Sequence, residues 1–460
     1  MRNLKSILAK VEEFVSPNFC NDLARNSRFI QRSTSQLKGH EFAQALIIPN
    51  AFLEAETLNC LAVRMKKINK ACNLSAPALA QRINTIEAQK FMKSCFGKVL
   101  KAIAAEDFLK VPDLPRFDKF HRILIQDSTI IELHEKLSSH FKGSGGAASR
   151  SAVKIDYIFD YRSEQVVDIE FFSSHIPDQR LANRIVPFLQ KDDLVVRDLG
   201  YFAVREIREI ERQGSYYISR LKANVHVYES QEATNPIDFG KFMEQNAFQG
   251  ILDAQVFISE EKIPVRLIAC QLGEQVVNER LRKANRTVQR HGRKLSRKVT
   301  SFLKYTIYIT NVPSEHLSKE SVMASYRARW RIELIFKQWK SCLKLHTFKG
   351  YNKERIYCLL YGRLIMVLVV GLLSALLMIY ARTMDRELSC FKLIKYLIWD
   401  HALPRAIQEG TLDQFIGQLL QDLPRRMCMD KRRRCSLRSN VRMANEYCLV
   451  ENRGDTTHSA

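Results

Sequence analysis

Apolar residues recur at three- and four-residue spacing over Phe42 to Leu61 and again over Pro77 to Ala105, with polar residues between them. That period lines up one face of a helix, so residues 1 to about 115 read as helical. Ser75 and Pro77 make a helix start. The serine oxygen can cap the first turn, where a proline gives up no needed N–H. Val111-Pro112-Asp113-Leu114-Pro115 then breaks the helical pattern and reads as a linker.

From Phe120 the period changes. His121 to Gln126 is a β-rich run ending at Asp127, and Gly143-Ser144-Gly145-Gly146 reads as a turn. Val153 to Phe159 and Gln165 to Phe171 alternate in part, with Asp160 to Glu164 between them as a hairpin loop. Gln179 to Gln190 reads as helix, Leu194 to Arg197 as a buried strand ending at Asp198, Phe202 to Arg212 as helix and Tyr216 to Leu221 as strand. Strands alternating with helices around a mixed sheet predict an α/β core. Residues about 222 to 300 interrupt that alternation with short strands, Ala254 to Ser259 and Val265 to Leu272, and then a basic stretch. Tyr305 to Thr310 returns to strand, one long helix is expected from about Lys319 to Leu345, and more helix fills Glu354 to Leu420. Within it, Leu364 to Tyr380 is 17 residues without a charge, between Arg363 and Arg382. That borders on membrane-spanning length, and a buried core helix is the preferred reading. No internal repeat is visible.

Charge narrows the partner. Lys plus Arg is 72 against 49 for Asp plus Glu, a formal net charge of +23, which favours a polyanion. From Arg280 to Lys298 there are nine Lys or Arg and no acid. Arg290, Arg293, Lys294, Arg297 and Lys298 are the candidates to lie along nucleic-acid phosphates, the alternative being a solvated charged helix. A second basic tract, Arg425 to Arg442, is either a solvated tail or a further DNA contact. The eleven cysteines are scattered without a Cys-x-x-Cys pair, which removes support for a zinc site and fits free thiols in a reducing cytoplasm. Met1 to Val15 lacks the continuous apolar run of a signal peptide. Phosphate-loop, His-Glu-x-x-His and Gly-x-Ser-x-Gly motifs are absent, so ATP-driven motors, zincins and serine hydrolases are disfavoured.

What remains is a set of carboxylates. Asp127 and Asp198 each follow a predicted buried strand; taken singly, each reads first as an exposed acid at a sheet edge, because acids are mostly exposed. The helix around Glu333 adds to them. With Glu333 at zero on a continuous α-helix, Tyr326 falls at roughly +20°, Arg329 at −40°, Lys337 at +40° and Lys340 at −20°. Ile332, Phe336, Trp339 and Leu343 gather about a quarter-turn away. One reading is a surface helix laced with ion pairs such as Arg329–Glu333 and Glu333–Lys337. The other is an acid ringed by phosphate-gripping side chains beside an apolar stripe. Two aspartates and a helical glutamate meet the requirement of two-metal phosphoryl transfer, in which hard oxygen ligands hold Mg²⁺ ions that activate a hydroxyl and stabilise a leaving oxygen.

These residues resemble a known family, the bacterial insertion-sequence transposases of the DDE class, in the insertion-sequence-four group. The family's Tyr-x2-Arg-x3-Glu-x6-Lys motif stands here as Tyr326-Arg327-Ala328-Arg329-Trp330-Arg331-Ile332-Glu333, then Lys340. Asp127-Ser128-Thr129 and Asp198-Leu199-Gly200-Tyr201 match the contexts of the other two acids, and Thr310-Asn311 also resembles the pattern. The resemblance spans about residues 120 to 350, and more loosely Leu74 to Lys98. It implies an α/β, ribonuclease-H-like catalytic core over 116–350 with a mainly β insertion at about 222–300. A helical DNA-binding domain over 1–115 precedes it; a helical region over 351–422 and a basic, disordered tail over 423–460 follow. It implies Asp127, Asp198 and Glu333 as catalytic metal ligands for two Mg²⁺ ions, with Mn²⁺ as substitute, and Tyr326, Arg329, Lys337 and Lys340 as DNA contacts. It further implies a dimer on double-stranded DNA, binding terminal inverted repeats and target, in the cytoplasm of a bacterium at the nucleoid and away from membranes. Family members cut their element's ends through a hairpin and join the 3′-OH to target DNA. One departure stands out. Some members stack a flipped base on a tryptophan of the insertion, whereas the tryptophans here are Trp330, Trp339 and Trp399, leaving Tyr216, Tyr217 or Phe257 as aromatic candidates. The rival readings are a nuclease of the same core without joining, a decayed transposase that only binds DNA, and a protein anchored in a membrane through Leu364 to Tyr380.

Overall fold

The computed structural model describes residues 9–428 apart from 33, 48–56, 105–116, 146–148, 164, 291, 343–344, 385, 387 and 400–401. The linker expected at Val111 to Pro115, Leu343, and the basic tail from residue 429 onward lie outside the described residues.

Along the chain, helix α1 (residues 9–14) is followed by α2 (Pro17–Asn26), α3 (Gly39–Ile47), α4 (Leu58–Ile68), α5 (Ala76–Ile83) and α6 (Ile86–Ala104). Strands β1 (Ile123–Glu132), β2 (Ala152–Asp160) and β3 (Gln165–Ser173) come next. A 3-10 segment, Asp178–Phe188, leads to β4 (Leu194–Arg197), α7 (Val204–Arg212) and β5 (Tyr216–Arg220). Then come β6 (Val227–Tyr228), α8 (Phe239–Asn246), β7 (Ile251–Ile258), β8 (Ile263–Gln271), α9 (Glu274–Gln289), α10 (Arg297–Phe302) and β9 (Tyr305–Thr310). The chain continues through α11 (Lys319–Tyr326), a 3-10 turn (Arg327–Arg329), α12 (Trp330–Ser341), α13 (Lys353–Thr383), α14 (Cys390–Trp399), α15 (Ala402–Glu409) and α16 (Leu412–Asp422).

Two compact units share these elements. The first takes, of the described residues, those within 9–104, 128–176 and 332–428. Its helical part is a bundle in which α13 lies against α6 and α3. α13 is long and apolar enough to cross a membrane, yet 78% of its most apolar window is buried inside the structure, as the core-helix reading expects. At its Gly362 α3 approaches closely: a Cβ there would stand 2.7 Å from the Leu46 carbonyl oxygen. The hairpin of β2 and β3 pairs as its alternation predicts, Val153 opposite Ser173 through Asp160 opposite Gln165. In its loop the Asp160 carboxylate accepts from the backbone N–H of Arg162 and Ser163. The hairpin extends the sheet in the order β3-β2-β1, where β1 contributes its C-terminal half.

The second unit takes, of the described residues, 117–127 and 177–331. Its sheet runs β1-β4-β5-β9-β8-β7-β6, where β1 contributes its N-terminal half. β4 is parallel to β1 and to β5, and the pairs from β5 onward are antiparallel. Leu194, Val195 and Val196 are all buried, as expected of a strand flanked on both sides by parallel neighbours. An ion pair fastens the strand starts: Arg122 donates from Nε (3.1 Å) and Nη2 (2.6 Å) to the fully buried carboxylate of Asp193.

Several expected elements differ. The helical pattern that starts at Pro77 falls on two helices, α5 and α6, because Asn84 closes α5 and the Thr85 hydroxyl caps α6 by accepting from the Ala88 N–H; Ala105 lies outside the described residues. The Ser75 cap is present, accepting from the Ala78 N–H. Gln179 to Gln190 is a 3-10 segment rather than an α-helix, with Pro187 inside it. β1 does not stop at Asp127 but continues to Glu132. The stretch 222–300 holds α8, α9 and α10 beside its strands, so it is mixed rather than mainly β. The long helix expected over Lys319 to Leu345 is broken by the 3-10 turn at Arg327–Arg329.

Candidate active site

The parallel register of β1 and β4 brings the two aspartates together. Ile123 lies opposite Leu194 and Gln126 opposite Arg197, so Asp127 and Asp198 are the next residue of each strand. Neighbouring strands run about 4.8 Å apart, and alternate residues face opposite sides. Gln126 and Arg197 therefore point one way and the aspartates the other; Asp198, one residue past β4, still has an extended backbone (φ −71°, ψ 163°). The residues before the acids are anchored. Gln126 Nε2 donates to the Leu181 carbonyl (3.0 Å) and Arg197 Nη1 to the Ala182 carbonyl (2.7 Å), both side chains being buried. Two consecutive carbonyls of one 3-10 segment thus set the height of both strand ends. Gly200 permits a close approach of that same segment, since a Cβ there would stand 3.1 Å from Asp178 Oδ2.

On the other face, Arg329 and Tyr326 meet the aspartates. Arg329 Nη1 lies 3.3 Å from Asp127 Oδ2, and its Nε lies 3.9 Å from Asp198 Oδ1. The Tyr326 hydroxyl donates to Asp198 Oδ1 at 3.2 Å. The Arg329 guanidinium also lies 5.9 Å from the centroid of the Tyr326 ring, which itself packs on Tyr308. Burial, and after it the Asp198 charge, pushes the Tyr326 phenol well above its ordinary value, with Arg329 and Arg220 opposing. The phenol stays protonated and remains a hydrogen-bond donor. The Asp198 side chain is 45% exposed and that of Asp127 17%, so solvent reaches mainly Asp198.

The loop delivering Tyr326 is held by a buried arginine that the sequence reading does not single out. Arg266, on β8, makes a two-pronged pair with Asp253 (2.8 and 2.7 Å) and donates from Nη1 to the carbonyls of Val312 (3.2 Å) and Leu317 (2.7 Å), just ahead of α11. The Thr310-Asn311 pair is structural. Asn311 accepts from the Tyr217 N–H (2.9 Å) and donates to the Ser215 carbonyl (3.0 Å), continuing the β9–β5 pairing with a side chain once the strand ends.

Glu333, Lys337 and Lys340 follow on α12 and belong to the first unit. Glu333 is half-buried, Lys337 is exposed, and burial lowers the Lys340 ammonium from its ordinary range while Glu132 opposes. Ile332, Phe336 and Trp339 are buried as the apolar stripe predicts, with Trp339 4.9 Å and Phe336 6.0 Å from the Tyr157 ring. The common stripe of Tyr326, Arg329 and Glu333 does not follow as expected, because a 3-10 turn advances about 120° per residue instead of 100°. Among the described residues no group of three or more His, Cys, Asp or Glu stands together as a metal cluster. Asp127 and Asp198 nonetheless suit a hard cation: their oxygens converge on one positive group, and a carboxylate pair that close needs charge compensation.

Arg290, Arg293, Lys294, Arg297 and Lys298 are all exposed, and α9 has no buried residue. Arg280 is committed to the fold instead, donating to the Tyr305 carbonyl and the Thr306 hydroxyl at 3.1 Å each. The missed positioning residues left a trace in the sequence: both strands read as three apolar residues, one polar residue and an aspartate, Ile123-Leu124-Ile125-Gln126-Asp127 and Leu194-Val195-Val196-Arg197-Asp198.

Comparison with known proteins identifies the family. Residues 118–369 match the family model described as the transposase DDE domain. The chain is 29% identical over 427 residues to the transposase for insertion sequence element IS231E of Bacillus thuringiensis subsp. finitimus, covering 89% of this chain and 88% of that one. It is 27% identical over 388 residues to the transposase for IS1151 of Clostridium perfringens, covering 80% of each. A solved structure, the piggyBac transposase synaptic complex with hairpin DNA, aligns with 94% of this chain and 85% of that chain at 10% identity and a TM-score of 0.41. With more than half of its length matched by the domain model, and the motif's Tyr and Arg bonded to the paired aspartates, this chain belongs to the DDE-domain transposases.

Proposed function

We propose that the chain catalyses cut-and-paste transposition, with Asp127, Asp198 and Glu333 as the metal-binding carboxylates of a ribonuclease-H-like core. The observation that carries the reading is the parallel register that sets Asp127 beside Asp198, with Arg329 and Tyr326 bonded to them. Glu333 lies on α12, four residues after Arg329 in the sequence. Bound Mg²⁺, or Mn²⁺ in its place, supplies activation of the attacking hydroxyl and stabilisation of the leaving oxygen. The chain's own residues do the rest. Arg329, Lys337 and Lys340 hold phosphates beside the scissile bond, Arg329 with the planar fork that matches a phosphate's oxygens. Tyr326, kept protonated, donates a hydrogen bond and orients Asp198. The exposed cations Arg290, Arg293, Lys294, Arg297 and Lys298 track the backbone of the terminal inverted repeat and target. On DNA the protein acts as a homodimer that brings two element ends together.

The test is cleavage of an end-labelled duplex carrying the element's own terminal repeat, with Mg²⁺ or with EDTA, by wild type and Glu333→Gln. The expected result is a Mg²⁺-dependent nick at the repeat boundary that the variant loses while still binding the duplex. A hairpin followed by joining to a second duplex identifies transposition; cleavage without joining identifies the nuclease reading, and binding without cleavage the decayed one.

A further inference from the structure

We infer that Arg329 is the resident counter-ion of the Asp127–Asp198 pair, and that a DNA phosphate must draw it away before a divalent cation binds there. The inference rests on the proposed role of the two aspartates as metal ligands. Its starting point is the commitment of oxygens: Asp127 Oδ2 faces Arg329 Nη1 at 3.3 Å, and Asp198 Oδ1 takes both the Tyr326 hydroxyl at 3.2 Å and Arg329 Nε at 3.9 Å. One oxygen of each aspartate is therefore engaged by the same guanidinium, whose side chain is only 17% exposed.

A hard dication takes carboxylate oxygens at short range and is repelled by a positive charge a few ångströms away. The guanidinium therefore competes with the cation for lone pairs and adds repulsion to the competition. A phosphate offers Arg329 an alternative partner, because its oxygens match the guanidinium fork and carry a full negative charge. Local backbone structure suits such a transfer. Arg329 ends the 3-10 turn between α11 and α12, where hydrogen-bond geometry is poorer than in an α-helix and small changes in winding re-aim a side chain. The consequence is positive coupling: DNA tightens metal binding, and by linkage metal tightens DNA binding by the same factor. Nucleic acid then arrives before the cutting ions, which guards against unproductive metal occupancy.

The experiment titrates full-length protein with Mn²⁺, reading free Mn²⁺ by electron paramagnetic resonance, with and without a mixed-sequence duplex. Arg329→Gln is expected to bind Mn²⁺ about tenfold tighter than wild type without DNA. The duplex is expected to tighten Mn²⁺ binding in wild type and to leave Arg329→Gln unchanged. Arg329→Met, which keeps much of the stem's packing, is expected to show the same gain and stands in if Arg329→Gln fails to fold by circular dichroism. Adding Asp198→Asn to either variant should abolish the gain. Equal or weaker Mn²⁺ binding by the folded Arg329 variants, with Asp198→Asn still destroying binding, overturns the counter-ion role and leaves the metal-ligand reading intact. Mn²⁺ binding untouched by Asp127→Asn and Asp198→Asn overturns both.

Discussion

The strand pair β1–β4 and the helical layer around α13 are both buried, but they reach their geometry by different means. Around β1 and β4 the deciding groups are polar and individually partnered: Arg122 on Asp193, Gln126 on the Leu181 carbonyl, Arg197 on the Ala182 carbonyl. Along α13 they are apolar, with Leu364, Ile365, Leu368 and Leu373 all buried and no single contact dominant. Directional bonds fix position to a fraction of an ångström and lose it all when one partner goes, because the orphaned group is left desolvated. Dispersion and hydrophobic burial are spread over many weak contacts, so losses there are graded. The first region suits a site where two carboxylates must stand side by side; the second suits bulk stability.

Substitutions should separate the two. Asp198→Asn is expected to lower cleavage at least about a thousandfold while the melting temperature stays within a few degrees of wild type, measured by end-label assay and calorimetry. Arg122→Ala strips the guanidinium from a buried carboxylate, leaving it His121 and the Gln190 N–H, and should cost about 3 kcal/mol in denaturant unfolding, with activity falling only as folded protein is lost. Arg197→Met sharpens the comparison: it should lower the cleavage rate about a hundredfold by letting Asp198 shift, at a stability cost of only about 1–2 kcal/mol. A cleavage loss no larger than the stability loss would move Arg197 into the class of the α13 residues. In the helical layer, Gly362→Ala forces a Cβ against the Leu46 carbonyl and should cost about 1–3 kcal/mol with the rate per folded molecule unchanged. The smallest effect is expected from Arg297→Gln with Lys298→Gln, which should leave stability alone and reduce the salt slope of duplex binding by about 2.

Much of this was legible in the chain. The strand Leu194–Arg197 falls where its apolar run puts it, because a strand buried on both faces needs an unbroken run, and Tyr305–Thr310 is a strand whose burial alternates along most of its length. The Ser75 cap and the buried character of α13 were legible for similarly local reasons. The 3-10 turn at Arg327–Arg329 was not, since Arg-Ala-Arg is as compatible with an α-helix as with a tighter turn. Nor was the division of labour among the cations: Arg280 and Arg290 look alike in sequence, yet Arg280 is hydrogen-bonded to β9 and Arg290 is exposed.

The sequence by itself determined the identities and order of the groups proposed to do the chemistry, Asp127, Asp198, Tyr326, Arg329 and Glu333, and much of the strands and helices that carry them, because capping, period and motif spacing are local properties. Only the tertiary structure decided that Gln126 pairs with Arg197 across a parallel register, that both lean on neighbouring carbonyls of one 3-10 segment, and that Arg329 closes on two aspartates 202 and 131 residues before it. Parallel pairing has no signature within either strand. It is set by the crossover between them and by which buried polar group finds which partner, and those are choices the whole fold makes at once.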